Sequence, residues 1–176
     1  MTKLLKTNLR KLVRHTVFFL IKKKSKTTLY EGLHTVEPDD WLRMPQEGIT
    51  HIAWQAGHLA VAQFRLCLER LRNLQPGDWD IISKNFLRSF SKGTEPSPDP
   101  SLYPEPAEIR AVMDRVHEAV RREVPQYDGS DLTTPLRNPH PIFKTKLEAL
   151  DFCAQHDIHP ECKMIRPDEI NNAFDH

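Results

Sequence analysis

Apolar residues along this chain recur mainly at helical spacing. Leu5, Leu9, Leu12, Val13, Val17 and Leu20 follow one another at steps of three or four, which predicts a first helix through about residue 22. A short helical turn is expected over 28–33. The clearest pattern runs from Ile49 to Leu71, where Ile52, Ala56, Leu59, Ala60, Phe64, Cys67, Leu68 and Leu71 form a broad stripe. Gly48 and Thr50 are placed to supply its entry, and Pro76-Gly77 ends it. Asp78 or Asp80 is placed to cap a short helix carrying Ile81, Ile82, Phe86, Leu87 and Phe90. Ile109, Val112, Met113, Val116, Val120 and Val124 give a third helix a narrow stripe, with Pro106 suited to its first turn. A fourth begins near Thr145, where Thr145-Lys146-Leu147-Glu148 fits a capping box, and Leu147, Leu150, Ala154 and Ile158 share a face.

Two long connections separate these helices. One covers 91–106, with prolines at 96, 98, 100, 104 and 106, and the other covers 126–141, with prolines at 135, 139 and 141. No alternating strand pattern, internal repeat or glycine-rich phosphate loop is present. The expected architecture is a single all-α domain over residues 1–176, a four-helix bundle with long crossover loops.

Composition narrows the classes. With 176 residues, 39% hydrophobic and 28% charged, the chain suits one folded domain and argues against disorder. Its net charge of +1 is uneven: residues 1–26 hold nine Lys or Arg and no acid, leaving 16 basic against 24 acidic side chains, net −8, in the remainder. The basic segment is read as a solvated helix face balancing an acidic body, with docking on nucleic acid or anionic lipid as the competing reading. The longest early apolar run, Val17–Ile21, is too short for a leader's apolar region or a membrane span, and the expected location is cytoplasmic. Cys67, Cys153 and Cys162 show no disulfide-framework spacing. The first two sit in apolar helical patterns and are expected in the core.

The candidate chemistry lies in the histidines. His51 and His58 are seven residues apart on one helix, about 10 Å along its axis, too far to share one ion easily. His58, flanked by Gly57 and Leu59 in the deeper part of the stripe, is the candidate, and His51 falls in the first turn. His156-Asp157-Ile158-His159 places two imidazoles three residues apart on the last helix. Cys162 extends the series to His-x-x-His-x-x-Cys, whose geometry Pro160 disrupts. His15, His34, His117 and His176 are expected to be exposed or terminal, and His140 lies in a loop that could reach the bundle mouth. Trp54 could line a pocket with the proline-rich loop or serve the core.

The segment Gly48–Ala60, with Trp54-x-x-x-His58, resembles the second-helix motif of the DinB/YfiT-like superfamily, and His156–Met164 resembles that family's final His-Glu-x-x-His-x-Gly-Gln-Ile segment. The loop Gly93–Pro100 with Tyr103-Pro104 is similar to a loop in one branch of it. The resemblance implies an up-down-down-up four-helix bundle and a divalent metal, Zn, Ni or Fe, held by three histidines. It also implies, for some members, a transferase or hydrolase that activates a low-molecular-weight thiol, and frequent homodimers. Carried over, the first ligand falls on His58 and the second on His156. The third falls on Pro160, so His159 would have to replace it. Pro160 also removes a backbone hydrogen bond and disfavours helix at His159, so the last helix is expected to stop there and 160–176 to form an irregular tail. The expectation is a metal site of weakened affinity. The alternative is a non-catalytic bundle without metal, acting in binding or stress response. No pattern identifies a substrate, a further cofactor or a specific nucleic acid.

Overall fold

The computed structural model describes residues 32–44, 49–127, 130–137 and 140–149. These residues are helices, turns and loops. No strand occurs among them, only an isolated bridge between Pro135 and Thr145. The protein is all-α over this span. None of the described helices is long and apolar enough to cross a membrane.

A helical turn at 32–35 and a 3-10 turn at Pro38–Asp40 lead into α1, Ile52–Phe64. A π-helical turn, Arg65–Glu69, and a final turn, Arg70–Arg72, continue α1 in the same direction; in the π turn the Arg70 N–H reaches the Arg65 carbonyl. Two short helices follow, α2 (Asp78–Ile81) and α3 (Lys84–Ser89). A loop containing a 3-10 turn at Pro100–Leu102 then connects to α4, Pro106–Glu123. Another 3-10 turn, Val124–Gln126, closes α4.

The main packing is α1 against α4. On α4, Ile109, Val112, Met113, Val116, His117, Ala119 and Val120 are buried, the predicted stripe widened by two positions. On α1 the buried residues are Ala53, Ala56, Gly57, Ala60, Val61 and Phe64. Ile52 and Leu59 are only partly buried, because Ala53, Gly57 and Val61 carry the core face instead. A face made mostly of small residues allows close approach. A Cβ built on Gly57 would lie 2.4 Å from Cγ and Cδ1 of Phe90, so a glycine here seats an aromatic ring directly on the helix backbone. Cys67 is buried, as its place in the stripe predicted.

Three expectations change, two at polar residues and one in the division of a helix. His117 is 5% exposed rather than on the surface, and its Nδ1 lies 3.3 Å from Gln63 Nε2. The narrow stripe underestimated α4's buried face by one position on that side. Asp78 does not cap α2; Gly77 holds the N-cap position. The Asp78 carboxylate instead accepts two hydrogen bonds from Arg72, at 2.7 and 3.0 Å, and one from the Gln75 backbone at 2.7 Å. Arg72 also pairs with Glu123, so the cluster ties the ends of α1 and α4 to the start of α2. Burial opposes the Asp78 charge, but Arg72 and the Gln75 N–H outweigh it and hold the carboxyl below its usual range. Burial likewise opposes the Arg72 charge, and Asp78 and Glu123 raise its pKa. Finally, the segment predicted as one short helix is two, because Ile82 is extended and Ser83 starts a new helix by accepting from the Phe86 N–H at 3.1 Å.

The predicted capping box is present. Glu148 N donates to Thr145 Oγ1 at 3.2 Å, and Glu148 Oε2 accepts from the backbone of Lys144 and Thr145 at 2.6 and 3.4 Å. The helix it opens is described only to residue 149. The predicted first helix, Cys153, His156, His159, Pro160 and Cys162 lie outside the described residues.

Candidate metal centre

Trp54 and His58 stand one turn apart on α1, where side chains meet. Their rings stack, with centroids 4.7 Å apart and planes within 7°. His58 Nδ1 lies 2.8 Å from the Phe90 carbonyl oxygen. A carbonyl only accepts, so Nδ1 carries the proton and donates it. The lone pair is then on Nε2. An imidazole whose second nitrogen donates to a backbone carbonyl is the usual arrangement of a metal-ligating histidine, because it fixes tautomer and ring plane together. This chemistry fits His58 as one ligand to a divalent metal.

The Phe90 carbonyl belongs to a segment, 90–94, that is tied to the α1 path at several points. Ser91 Oγ accepts from Arg65 Nη2 at 3.1 Å, and Thr94 Oγ1 accepts from Trp54 Nε1 at 2.9 Å. Thr94 in turn donates to the Ser91 carbonyl at 2.8 Å. His58 and Trp54 of α1, and Arg65 at the start of the π turn, are thus tied to Phe90, Thr94 and Ser91. The Phe90 ring stays fixed by Gly57 beneath it, Phe86 at 4.6 Å and Tyr103 at 5.6 Å between centroids.

His51 takes a role that its sequence position did not suggest. It is the N-cap of α1: its Nδ1 accepts from the Trp54 N–H at 3.1 Å. It is also the more deeply buried of the two histidines, 1% exposed against a half-buried His58, reversing the expected order of depth. The cap folds the imidazole back over the helix end, edge-on to Tyr103 with centroids 4.9 Å apart. Because Nδ1 accepts, Nε2 carries the proton; it lies buried with no well-formed hydrogen bond among the described residues. Burial lowers the His51 pKa, and the backbone of Ser97 and Trp41 only partly opposes this. His51 therefore stays neutral and serves the fold.

His140 stacks on Phe143 at 3.9 Å between centroids, and its Nδ1 accepts from the Ile142 N–H at 3.2 Å. His34 is exposed, as expected. Among the described residues, no three His, Cys, Asp or Glu side chains form a group that could hold a metal. Of the predicted ligands, only His58 falls within them. Sequence reasoning missed Phe90, whose contribution is a backbone carbonyl that no side-chain pattern announces. It also missed the role of Thr94, although the loop Gly93–Pro100 that contains it was already singled out by resemblance.

An all-helical protein with a carbonyl-anchored imidazole one turn after a tryptophan is the class defined by this geometry. The chain belongs to the DinB superfamily, whose family model matches residues 24–159. The matched span includes His58, His156 and His159 and ends before Pro160. Two proteins of Mycolicibacterium smegmatis, NADP-dependent alcohol dehydrogenase C 1 and NADP-dependent alcohol dehydrogenase C 2, are each 57% identical to it over 28 residues. That stretch is 16% of this chain, which spans only 8% of the length of those relatives. A segment so short is below the size of a folding domain. No solved structure matches the chain.

Proposed function

We propose that this chain is a divalent-metal-binding member of the DinB superfamily in which His58 is the anchored ligand and His156 and His159 supply the other imidazoles. The proposal includes the up-down-down-up four-helix bundle and a small thiol or water as the group activated, for transfer or hydrolysis. The observation that carries it is the 2.8 Å contact between His58 Nδ1 and the Phe90 carbonyl, which leaves Nε2 as the coordinating nitrogen. A Zn, Ni or Fe ion held there would lower the pKa of a bound thiol or water. The chain's own contribution is orientation. Phe90 holds the proton on Nδ1, and Trp54 keeps the ring from turning.

Pro160 stands where the resemblance places the third ligand, so the affinity is expected to be weak. The same residue favours a second reading, a bundle of this superfamily that has lost its metal and binds partners without catalysis. Elemental analysis of untagged protein after dialysis, followed by Zn and Ni titration, separates the two. Under the first reading His58→Ala lowers metal affinity at least about tenfold, since even partners that merely orient a ligand are worth about 10–100-fold. Affinity unchanged in folded His58→Ala would overturn it.

A further inference from the structure

The last turns of the α1 path border a cleft of about 510 Å³, within the roughly 300–1,000 Å³ range of small-molecule sites. Its charged lining is Arg65, Glu69, Arg70 and Arg137, three guanidiniums against one carboxylate, and Leu74 and Leu136 add an apolar patch. Two of these arginines are held in place. Arg65 is held by Ser91 at 3.1 Å, and the Arg70 guanidinium sits 5.1 Å from the centroid of the buried Phe143 ring. Arg137 stands exposed beside buried Leu136. The wall that presents Arg65 and Glu69 is the π turn, and such turns inside α-helices occur frequently at functional sites. Arg70 also stands near His140, whose pKa is lowered by burial and further by Arg70 and Lys92.

We propose that this cleft binds a small organic anion, its carboxylate or phosphate gripped by Arg65, Arg70 and Arg137 and its short apolar tail laid on Leu74 and Leu136. Planar guanidiniums match both headgroups by paired N–H donors. The site uses none of the proposed metal ligands, so it stands whether or not His58 holds a metal.

The test is calorimetric titration of the full chain at low salt with n-butyl phosphate, butyrate, inorganic phosphate and n-butanol. At least one of the two organic anions should bind saturably, and their ranking identifies the headgroup. Inorganic phosphate, lacking the tail, should bind more weakly than butyl phosphate, and butanol should not bind. Arg137→Gln should weaken the better anion about tenfold, the usual worth of one charge-assisted hydrogen bond. Glu69→Gln, which removes the opposing carboxylate, should tighten it. Saturable binding by neither organic anion would overturn the proposal. So would affinities unchanged in both variants, or weakened by Glu69→Gln, with circular dichroism showing each to be folded.

Discussion

Replacing Gly57 by alanine tests how closely Phe90 is seated on α1. In an ordinary helix interior the change would stabilise by about 1 kcal/mol, because alanine has the higher helix propensity. Here the added methyl would lie 2.4 Å from Cγ and Cδ1 and 2.6 Å from Cε1 of a ring that is itself fully buried. Overpacking of this kind costs about 1–3 kcal/mol, and a ring held between Phe86 and Tyr103 favours the upper end. The expected net effect is a loss of about 1–2 kcal/mol, read as a fall in Tm of about 2–8 °C for a chain of this size. Phe90→Ala removes the obstacle at a cost of about 3–5 kcal/mol by itself. In that background Gly57→Ala should turn neutral or stabilising by up to about 1 kcal/mol, a coupling of about 1–3 kcal/mol in a double-mutant cycle. Urea denaturation of the four proteins gives the cycle directly. Gly57→Ala stabilising the parent, or destabilising both backgrounds equally, would refute the close seating.

Stability should respond to pH through His51. Its folded pKa lies below the ordinary 6.5, so the unfolded chain binds the extra proton more readily. The contribution is therefore complete above pH 6.5 and lost as pH falls through the folded pKa; His51→Asn, which keeps a capping acceptor, should flatten that part of the profile in denaturant titrations. Asp78→Ala should cost about 3 kcal/mol by stripping Arg72 of a buried partner, measured by urea unfolding. Pro160→His, which restores an imidazole four residues after His156, should tighten Zn or Ni binding and raise Tm in the presence of metal; unchanged affinity in a folded variant would mean that Cys162, Lys163 and the tail after them matter more, or that His58 and His156 do not converge.

Elements governed by local sequence were legible. Pro106 at the start of α4 and the Thr145/Glu148 box depend on residues within one or two turns of one another and are found as read, and the α4 stripe is found with His117 and Ala119 added to it. What escaped depends on distant partners. Ala53, Gly57 and Val61 are buried where Ile52 and Leu59 are only partly so, because the bare backbone at Gly57 lets Phe90 approach, which hydrophobicity alone does not encode. His51 read as a polar residue in a first turn, whereas its depth comes from Tyr103, 52 residues away. The Arg72–Glu123 pair joins residues 51 positions apart, and no local pattern announces it. The other half of the proposed metal site lies outside the described residues, so His156 rests on resemblance and His159 on its three-residue spacing from His156.

The long loop after α3 is secured at two places. Near its start Thr94 meets Trp54, and near its end the Tyr103 hydroxyl accepts from the Ser97 N–H at 2.9 Å while its ring packs on His51 and Phe90. Residues 98–102 between these anchors are exposed. This tip is therefore mechanically insulated from the histidine face. It is the place where a tag, a reporter dye or an added peptide could be inserted while His58, Trp54 and Phe90 keep their mutual geometry. Lineages of such chains would be free to vary the same five positions without disturbing the scaffold that orients the imidazole.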